Sequence, residues 1–220
     1  MIQAVIFDLD GTLVDSVDFH ATAWQKAFLE FGKKFSFEEI RAQIGKGGDE
    51  LLPTFLTDRE VHSFGEDLKK YRAELFKKKY LHRIVAFPQV RDLFERIKDD
   101  GKSIGLGSSA AGDELEHYLN LADIKDLVDG ETSADDVERS KPNPDIFAVA
   151  LRKLNVTASD ALVVGDSPFD ALAACKLHLP AIGVLCGGFK PGTLREAGVS
   201  KLYKDPADLL VNYAQSPICA

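Results

Sequence analysis

A single stretch near the N-terminus indicates the fold class: VIFDLDGT, at residues 5–12. Its apolar start predicts a short buried strand, and the aspartates and glycine that follow predict a loop at the end of that strand. Further strand-like runs occur at residues 103–107, 127–129, 161–165 and 181–184, the second being the weakest. Helical patterns separate these runs. Apolar strands that alternate with helices are typical of a parallel sheet covered on both faces, so we expect an α/β fold.

The chain between the first and second of these strands has a different character. Residues 16–84 read as a series of charged helices without a convincing strand. We therefore predict two domains. Residues 1–15 and 85–220 form an α/β core, and residues 16–84 form an inserted helical cap, with hinges near residues 14–16 and 84–87.

The composition argues against several classes of protein. The chain has 220 residues, of which 45% are hydrophobic, and its net charge is -8. Nucleic-acid binding is disfavoured because it needs a basic face, and no apolar run approaches the ~20 residues that cross a bilayer. The three cysteines are an odd number without metal-ligand spacing, which predicts reduced thiols in a cytoplasmic protein without a signal peptide. No exposed apolar stripe stands out, so a monomer or weak dimer is expected.

Polar side chains follow the apolar strands where a parallel sheet binds its ligands. Such ligands lie beyond the carboxyl ends of the strands. The side chains expected there, or in a loop nearby, are Asp8, Asp10, Ser108, Ser109, Lys141 and Asp166. Carboxylates gathered at one edge repel one another unless a cation neutralises them, and magnesium prefers oxygen ligands. In such a site Asp8 is a candidate nucleophile toward phosphorus and Asp10 a candidate proton donor, with Lys141 holding the transferred group.

Four motifs stand out in order along the chain. They are DLDGTLVDS at residues 8–16, Ser108 after its strand, SKPNP at residues 140–144 and GDSPFD at residues 165–170. Together they resemble the motifs of the haloacid dehalogenase-like hydrolase superfamily, in the helical-cap branch that includes phosphoglycolate phosphatase-like and β-phosphoglucomutase-like enzymes. The resemblance implies a Rossmann-like parallel sheet core with an inserted helical cap. It also implies a magnesium-dependent phosphatase that hydrolyses a small phosphorylated metabolite through an aspartyl-phosphate intermediate.

The resemblance further implies a role for each matching residue. Asp8 would be the nucleophile and a magnesium ligand, and Asp10 the general acid and base with its backbone carbonyl on the metal. Asp166 would complete the metal site, supported from behind by Asp170. The residues expected to orient or bind the phosphoryl group are Thr12, Ser108, Ser109 and Lys141. The aspartate at position 10 favours phosphoryl transfer, because the dehalogenase branch lacks it.

Three other functions fit parts of the sequence. GLGSSA at residues 105–110 has the form of a dinucleotide-binding fingerprint, and Asp129 lies where a ribose-binding acid is expected. That interpretation gives no use to four other polar residues, namely Asp8, Asp10, Lys141 and Asp166. A non-catalytic protein on the same fold is disfavoured because both aspartates of the first motif are present. A sugar-phosphate mutase of the β-phosphoglucomutase type would use the same phosphoaspartate, and no residue pattern separates it from a phosphatase.

Within the predicted cap, four residues are candidates for substrate contacts. His20 and Trp24 lie one helical turn apart on one face, so they either line the site or form part of a buried core. Lys46 and Gly47 belong to a glycine-rich turn that permits close backbone approach, and the lysine charge suits an anionic substrate. The basic residues between positions 69 and 79 are expected to form a solvated helix face.

Overall fold

The structure, a computed structural model, describes residues 1–219 and has a parallel sheet at its centre. Within that range the sheet has six strands: β1 (Ala4–Phe7), β2 (Ser103–Gly107), β3 (Gly130–Thr132), β4 (Ala161–Gly165), β5 (Ala181–Val184) and β6 (Leu202–Tyr203). Their order across the sheet is β3-β2-β1-β4-β5-β6. All neighbouring strands pair in parallel, which confirms the predicted fold class. The strand order reverses at β1, and in such sheets ligands bind at the carboxyl end of that switch point.

Residues 1–219 contain ten α-helices. They are α1 (Val17–Glu30), α2 (Phe37–Arg41), α3 (Gly48–Phe55), α4 (Asp58–Lys79), α5 (Val90–Asp99), α6 (Gly112–Leu121), α7 (Asp145–Leu154), α8 (Pro168–Cys175), α9 (Pro191–Glu196) and α10 (Pro206–Val211). The side chains of β1 alternate between two apolar clusters, as the twofold repeat of a strand requires. Val5 and Phe7 pack with α5, α6 and α10, whereas Ala4 and Ile6 pack with α7, α8 and α9. Helices therefore cover both faces.

Helices α1 to α4 form an insert between β1 and α5, and they pack around an apolar cluster of their own. This third cluster contains Trp24 and Phe28 from α1, Leu51 from α3 and Leu68 from α4. Paired side-chain and backbone hydrogen bonds fix the start of α4, where Thr57 and Glu60 form a capping box. The insert is therefore stabilised mainly by its own core, since burial of apolar surface is the main force that holds helices together.

The two chain segments that join the insert to the sheet run side by side. Val14 and Ala86 form an antiparallel bridge. The backbone N–H of Asp15 donates to the carbonyl of Val85, and the N–H of Phe87 donates to the carbonyl of Leu13, both at 2.9 Å. The connections are thus bonded to each other rather than being two independent loops.

The strand predicted at residues 127–129 was wrong by three residues, because β3 begins at Gly130. The reason is the side chain of Asp129, whose Oδ2 atom accepts a hydrogen bond of 2.7 Å from the backbone N–H of Ile104. That carboxylate also binds Lys98 at 2.7 Å, so the group that the dinucleotide interpretation assigns to a ribose is occupied. Strand β6 was not predicted, because a strand of two residues is too short to show an alternation of apolar and polar side chains. None of the helices in residues 1–219 combines the length and the apolarity needed to span a bilayer.

Candidate active site

Three strands that lie side by side end in polar residues at the centre of the sheet. Asp8 follows β1, Ser108 follows β2 and Asp166 follows β4. Because β1 lies between β2 and β4, the three residues are neighbours at one edge. The exposed fraction is 5% for Asp8 and 2% for Asp166. Carboxylates buried to this degree require partners of opposite charge, because burial strongly disfavours an isolated ion.

The loop after β1 depends on Gly11, whose φ angle is +78°. A side chain at this position would also collide, because its Cβ would lie 2.4 Å from Oδ2 of Asp166. The loop closes with a hydrogen bond of 2.9 Å from the N–H of Gly11 to the carbonyl of Val14. It places Thr12 next to Asp8, and the threonine hydroxyl donates to Oδ2 of Asp8 at 3.2 Å. Gly11 therefore lets the first and fourth motifs approach each other.

Lys141 carries a fully buried ammonium group. Its Nζ donates to Oδ1 of Asp8 at 2.5 Å and lies 2.7 Å from Oδ1 of Asp170. Burial lowers the pKa of this lysine, but the two carboxylates outweigh burial and raise it overall. The other carboxylate oxygen of Asp170 accepts from the backbone and the hydroxyl of Ser167, at 3.1 and 2.6 Å, in the capping box that starts α8. The start of α8 thus holds Asp170, and Asp170 helps to hold Lys141.

Three buried carboxylates gather around this ammonium. Asp8, Asp166 and Asp170 each present an oxygen, and these oxygens lie within 4.8 Å of one another. Burial raises the pKa of Asp8 to about 7; the charge of Lys141 opposes this shift, and the neighbouring aspartates add to it. Burial and the charge of Asp8 likewise raise the pKa of Asp166. One ammonium cannot balance three carboxylates, whereas the ammonium and a divalent cation together can, and buried oxygen donors suit a hard metal ion.

Asp10 stands apart from this group of three, and its carboxylate binds residues of the insert. Oδ1 of Asp10 accepts from the Ser16 hydroxyl at 2.5 Å and lies 2.8 Å from Nε2 of His20. The other ring nitrogen of His20 lies against the guanidinium of Arg72. A guanidinium has only donors, so Nδ1 of His20 must accept, and Nε2 carries the hydrogen that is donated to Asp10. The contacts therefore indicate that His20 donates to Asp10 through Nε2.

Asp8 and Asp10 are two residues apart but have opposite environments. Burial would raise the pKa of Asp10, but His20, the Ser16 hydroxyl and the charge of Arg72 lower it to about 2. Asp8, in contrast, has its pKa raised. A pair of carboxyl groups whose pKa values are pushed apart is a recurrent mark of sites that use the two groups for different tasks.

The two serines after β2 have different partners. Ser108 is fully buried, and its Oγ accepts from the backbone N–H of Ala110 at 3.0 Å. The hydroxyl of Ser109 donates to the carbonyl of Gly45 at 3.4 Å, which joins the sheet edge to the insert. Only Ser109 of the two faces the space between the core and the insert.

A cavity of about 220 Å³ lies in that space. The sequence-predicted residues that line it are Asp8, Asp10, His20, Trp24, Lys46 and Ser109. Gly47 is not among the lining residues, because it packs against the third motif instead. A Cβ at this position would lie 2.0 Å from the hydroxyl oxygen of Ser140. The glycine thus permits close approach of the insert to the loop that carries Lys141.

The prediction of a solvated basic face on α4 was wrong for part of that helix. Lys69, Arg72 and Lys77 line the cavity, whereas Lys70 and Lys78 are exposed away from it. Lys69 and Arg72 are three residues apart, and this step places two side chains on one side of a helix. This spacing was the signal available in the sequence, but nothing in the sequence showed that α4 crosses the site.

A comparison with protein-family models matches residues 5–184 to haloacid dehalogenase-like hydrolase. Among curated relatives, the chain is similar to SUPPRESSOR OF QUENCHING 1, chloroplastic, of Arabidopsis thaliana, with 29% identity over 215 residues. That alignment covers 96% of this chain but only 20% of the plant protein, so the chain spans about a fifth of its length. A phosphorylated carbohydrates phosphatase of Thermotoga maritima is 28% identical, with coverage of 94% and 96% of the two chains. A phosphoglycolate phosphatase of Yersinia pestis is 32% identical, with coverage of 84% and 82%.

Two solved structures have a similar fold. A hydrolase from Pseudomonas syringae superposes with a TM-score of 0.90 at 30% identity, over 98% of this chain and 99% of that one. CbbY from Rhodobacter sphaeroides, solved in complex with phosphate, superposes with a TM-score of 0.74 at 25% identity, over 95% and 96% of the two chains.

Proposed function

This chain belongs to the haloacid dehalogenase-like hydrolase family, and we propose that it is a magnesium-dependent phosphatase that hydrolyses a small phosphorylated metabolite through an aspartyl-phosphate intermediate. The observation that carries the proposal is the setting of Asp8. This carboxylate is buried at the switch point of the sheet, with the ammonium of Lys141 at 2.5 Å and two further carboxylates beside it. The relatives named as phosphatases of phosphorylated carbohydrates and of phosphoglycolate support the reaction class.

The carboxylate cluster suits a magnesium ion. In the proposal Asp8, Asp166 and the backbone carbonyl of Asp10 hold the ion, and Asp170 supports the site through Lys141. The excess of carboxylates over ammonium groups at this edge is the observation that fits the ion. Magnesium bound there supplies positive charge that neutralises the carboxylates and the phosphoryl group.

In the first step an oxygen of Asp8 attacks phosphorus. A bond forms between Asp8 and phosphorus, the bond from phosphorus to the alcohol oxygen breaks, and Asp10 gives its proton to that oxygen. Without substrate Asp10 is ionised, with a pKa of about 2. A phosphoryl dianion beside it raises this pKa, because like charge disfavours the ionised form, and Asp10 takes up from solvent the proton that it gives to the alcohol oxygen. The residues proposed to orient or neutralise the phosphoryl group are Thr12, Ser108, Ser109 and Lys141.

In the second step Asp10, now ionised, takes a proton from a water molecule. The water oxygen attacks phosphorus, the bond to Asp8 breaks and inorganic phosphate is released. His20 donates to Asp10 at 2.8 Å in the structure and so fixes its orientation for both proton transfers. We assign the cap role to residues 16–84 and the core role to residues 1–15 and 85–220. Closure of the cap over the site would exclude bulk water, which strengthens the interactions of charges inside it.

The test is Asp8→Asn, which keeps the size of the side chain but removes the nucleophile. We expect release of phosphate from p-nitrophenyl phosphate to fall by at least ~1,000-fold, with circular dichroism unchanged. Asp15→Asn is a matched control, because Asp15 is exposed and carries the same chemical change. Wild-type turnover by Asp8→Asn would overturn the assignment. EDTA should abolish the activity, and added magnesium should restore it. Full activity in EDTA would overturn the proposal that the reaction requires magnesium.

A mutase would share the first step and differ in the second. The same preparation should therefore be given β-glucose 1-phosphate with a bisphosphate activator. Release of free phosphate supports the hydrolase. Formation of glucose 6-phosphate without free phosphate would show that a sugar hydroxyl, rather than water, receives the phosphoryl group.

A further inference from the structure

Lys141, whose ammonium lies among the buried carboxylates, is part of a short turn of the core that begins at Ser140 and ends at Asn143. Inside this Lys141 turn, the backbone N–H and the side-chain amide of Asn143 both donate to the carbonyl of Ser140, at 3.0 and 3.1 Å. Another core residue, Lys176, donates from its ammonium to the carbonyl of Pro142 at 2.7 Å. The position of the turn therefore sets the position of the Lys141 ammonium.

Two carboxylates of the insert also hold this turn. Oδ2 of Asp49 accepts a hydrogen bond of 2.9 Å from the backbone N–H of Ser140. Oε1 of Glu50 accepts a hydrogen bond of 2.7 Å from the side-chain amide of Asn143. The two acids thus engage the first and the last residue of the turn, one on each side of Lys141 in the sequence.

The start of α3 differs from the starts of two other helices of the insert. A glutamate occupies the third position of α2, α3 and α4, namely Glu39, Glu50 and Glu60. In α2 and α4 this glutamate bonds the N-cap residue of its own helix, as part of a capping box. The N-cap of α3 is Gly47, which has no side chain to complete such a box. Glu50 bonds a residue of the core instead.

The charge of the two acids opposes the ligand that the site is proposed to bind. Negative charges near an anion-binding site weaken anion binding through their electrostatic field. Within residues 1–219, the residues that line the cavity do not include Asp49 or Glu50, so contact with the substrate does not explain them. Their hydrogen bonds to the Lys141 turn are therefore the use that the geometry gives them.

We propose that Asp49 and Glu50 are positioning residues for phosphoryl transfer and that they act through Lys141. While the insert lies against the core, their hydrogen bonds fix the Lys141 turn and hold the ammonium where it meets Asp8 and the phosphoryl group. When the insert moves away, both bonds break and the turn keeps only its core contacts. The inference rests on the proposed phosphatase function, and it gives the insert a part in organising the phosphoryl site itself.

The test uses the double variant Asp49→Ala, Glu50→Ala with inorganic phosphate as the probe. Phosphate occupies only the phosphoryl site, so its affinity, measured by calorimetry in magnesium, reports on that site directly. We expect the double variant to bind phosphate about tenfold more weakly than the wild type, and its kcat for p-nitrophenyl phosphate to be about tenfold lower. The field of the two charges alone predicts the opposite sign, because removing them would tighten phosphate binding.

Conservative variants and a matched control separate positioning from other effects. Asp49→Asn and Glu50→Gln keep an oxygen that can accept the same hydrogen bonds, so each should retain kcat and phosphate affinity within about twofold. Asp113 is also an acid in the first turn of a helix, and it also pairs across the boundary between core and insert, with Lys77. Asp113→Ala should therefore weaken contact between core and insert but leave both measurements within about twofold.

The route through Lys141 has its own measurement. In Lys141→Met, adding both alanine substitutions should change the phosphate affinity by less than about twofold, because the group through which the acids act is already gone. If Lys141→Met does not fold, as judged by circular dichroism, the comparison of the alanine and amide variants still decides the proposal.

The possible results have distinct meanings. Phosphate binding by the double variant that is unchanged or tighter would overturn the proposal. Losses in Asp113→Ala as large as those in the double variant would show that looser contact between core and insert is sufficient, and would also overturn it. A further loss of phosphate affinity in the Lys141→Met background would contradict the route through that ammonium. A wild type that neither binds phosphate nor releases it from p-nitrophenyl phosphate would instead overturn the proposed function, and this inference with it.

Discussion

The contact between Lys141 and Asp170 should be measurable as a coupling energy. Lys141→Met removes the ammonium and leaves three carboxylates with no positive charge in contact with them. Breaking one side of a buried ion pair costs about 3–5 kcal/mol, a large part of a typical domain stability of about 5–15 kcal/mol. In the Lys141→Met background, Asp170→Asn should lower the free energy of unfolding far less than it does in the wild type. The reason is that the substitution then removes a charge that repels the other carboxylates. Two charges about 4 Å apart interact by ~4 kcal/mol at an effective dielectric constant of 20, so we expect a coupling of about 2–4 kcal/mol.

The assay is urea unfolding of the wild type, both single variants and the double variant, at pH 7 in EDTA. Linear extrapolation gives the four free energies of unfolding, and their double difference gives the coupling. Lowering the pH to about 5 should reduce the penalty of Lys141→Met, since the raised pKa of Asp8 lets its carboxyl take up a proton. The effects of the two single variants on the free energy of unfolding could instead add up to the effect of the double variant, within ~0.5 kcal/mol at pH 7. That result would refute the view that these groups form one electrostatic unit.

Four further predictions follow from the same geometry. The folded-state pKa of Asp8 is raised to about 7, so protons compete with magnesium for this carboxylate below that pH. The apparent magnesium affinity, measured by calorimetry, should therefore rise as the pH approaches 7 and then stay constant. An affinity that does not change with pH would contradict this. In the metal-free protein this group should lower stability as pH rises from about 4 to 7, because the folded state keeps a proton that the unfolded chain has lost. Thr12→Val removes the hydroxyl that donates to Oδ2 of Asp8 and should reduce kcat by roughly tenfold. Thr12→Ser keeps a hydroxyl and should keep kcat. Equal kcat values for the two variants would count against a role for this hydrogen bond. Asp49→Ala deletes the carboxylate that accepts from the Ser140 backbone N–H at 2.9 Å. The Ser140 amide should then exchange faster in hydrogen-exchange mass spectrometry. Unchanged protection would show that other contacts hold the loop.

The strand ends were the part of the site that the sequence could predict. Asp8, Ser108 and Asp166 each follow an apolar run, and a parallel sheet brings such positions together whatever the details of its helices. The apolar runs that form these strands can be recognised locally in the sequence. Recognising them was sufficient to predict which polar residues lie at the strand ends. The pairing of Lys141 with Asp170 required more, because it depends on the capping box that orients Asp170 at the start of α8.

Contacts made across the cavity were beyond the reach of the sequence. Arg72 was expected in solvent, and its position against His20 depends on how α4 crosses α1. Glu114 lies on α6 and is buried opposite Arg72, although a glutamate in a charged stretch is usually exposed. The strand predicted at residues 127–129 failed for a similar reason, because the Asp129 side chain takes a backbone donor that the sequence alone would leave to a neighbouring strand.

The paired connections between core and insert limit how the molecule can open. Hydrogen bonds from Asp15 to Val85 and from Phe87 to Leu13 tie the outgoing and returning segments into a single short ribbon. A ribbon of this kind bends about one axis more readily than it stretches, so the mouth of the cavity should widen on the side away from it. An extra residue in one segment alone would break the pairing and tilt the insert, whereas compensating insertions in both would preserve it.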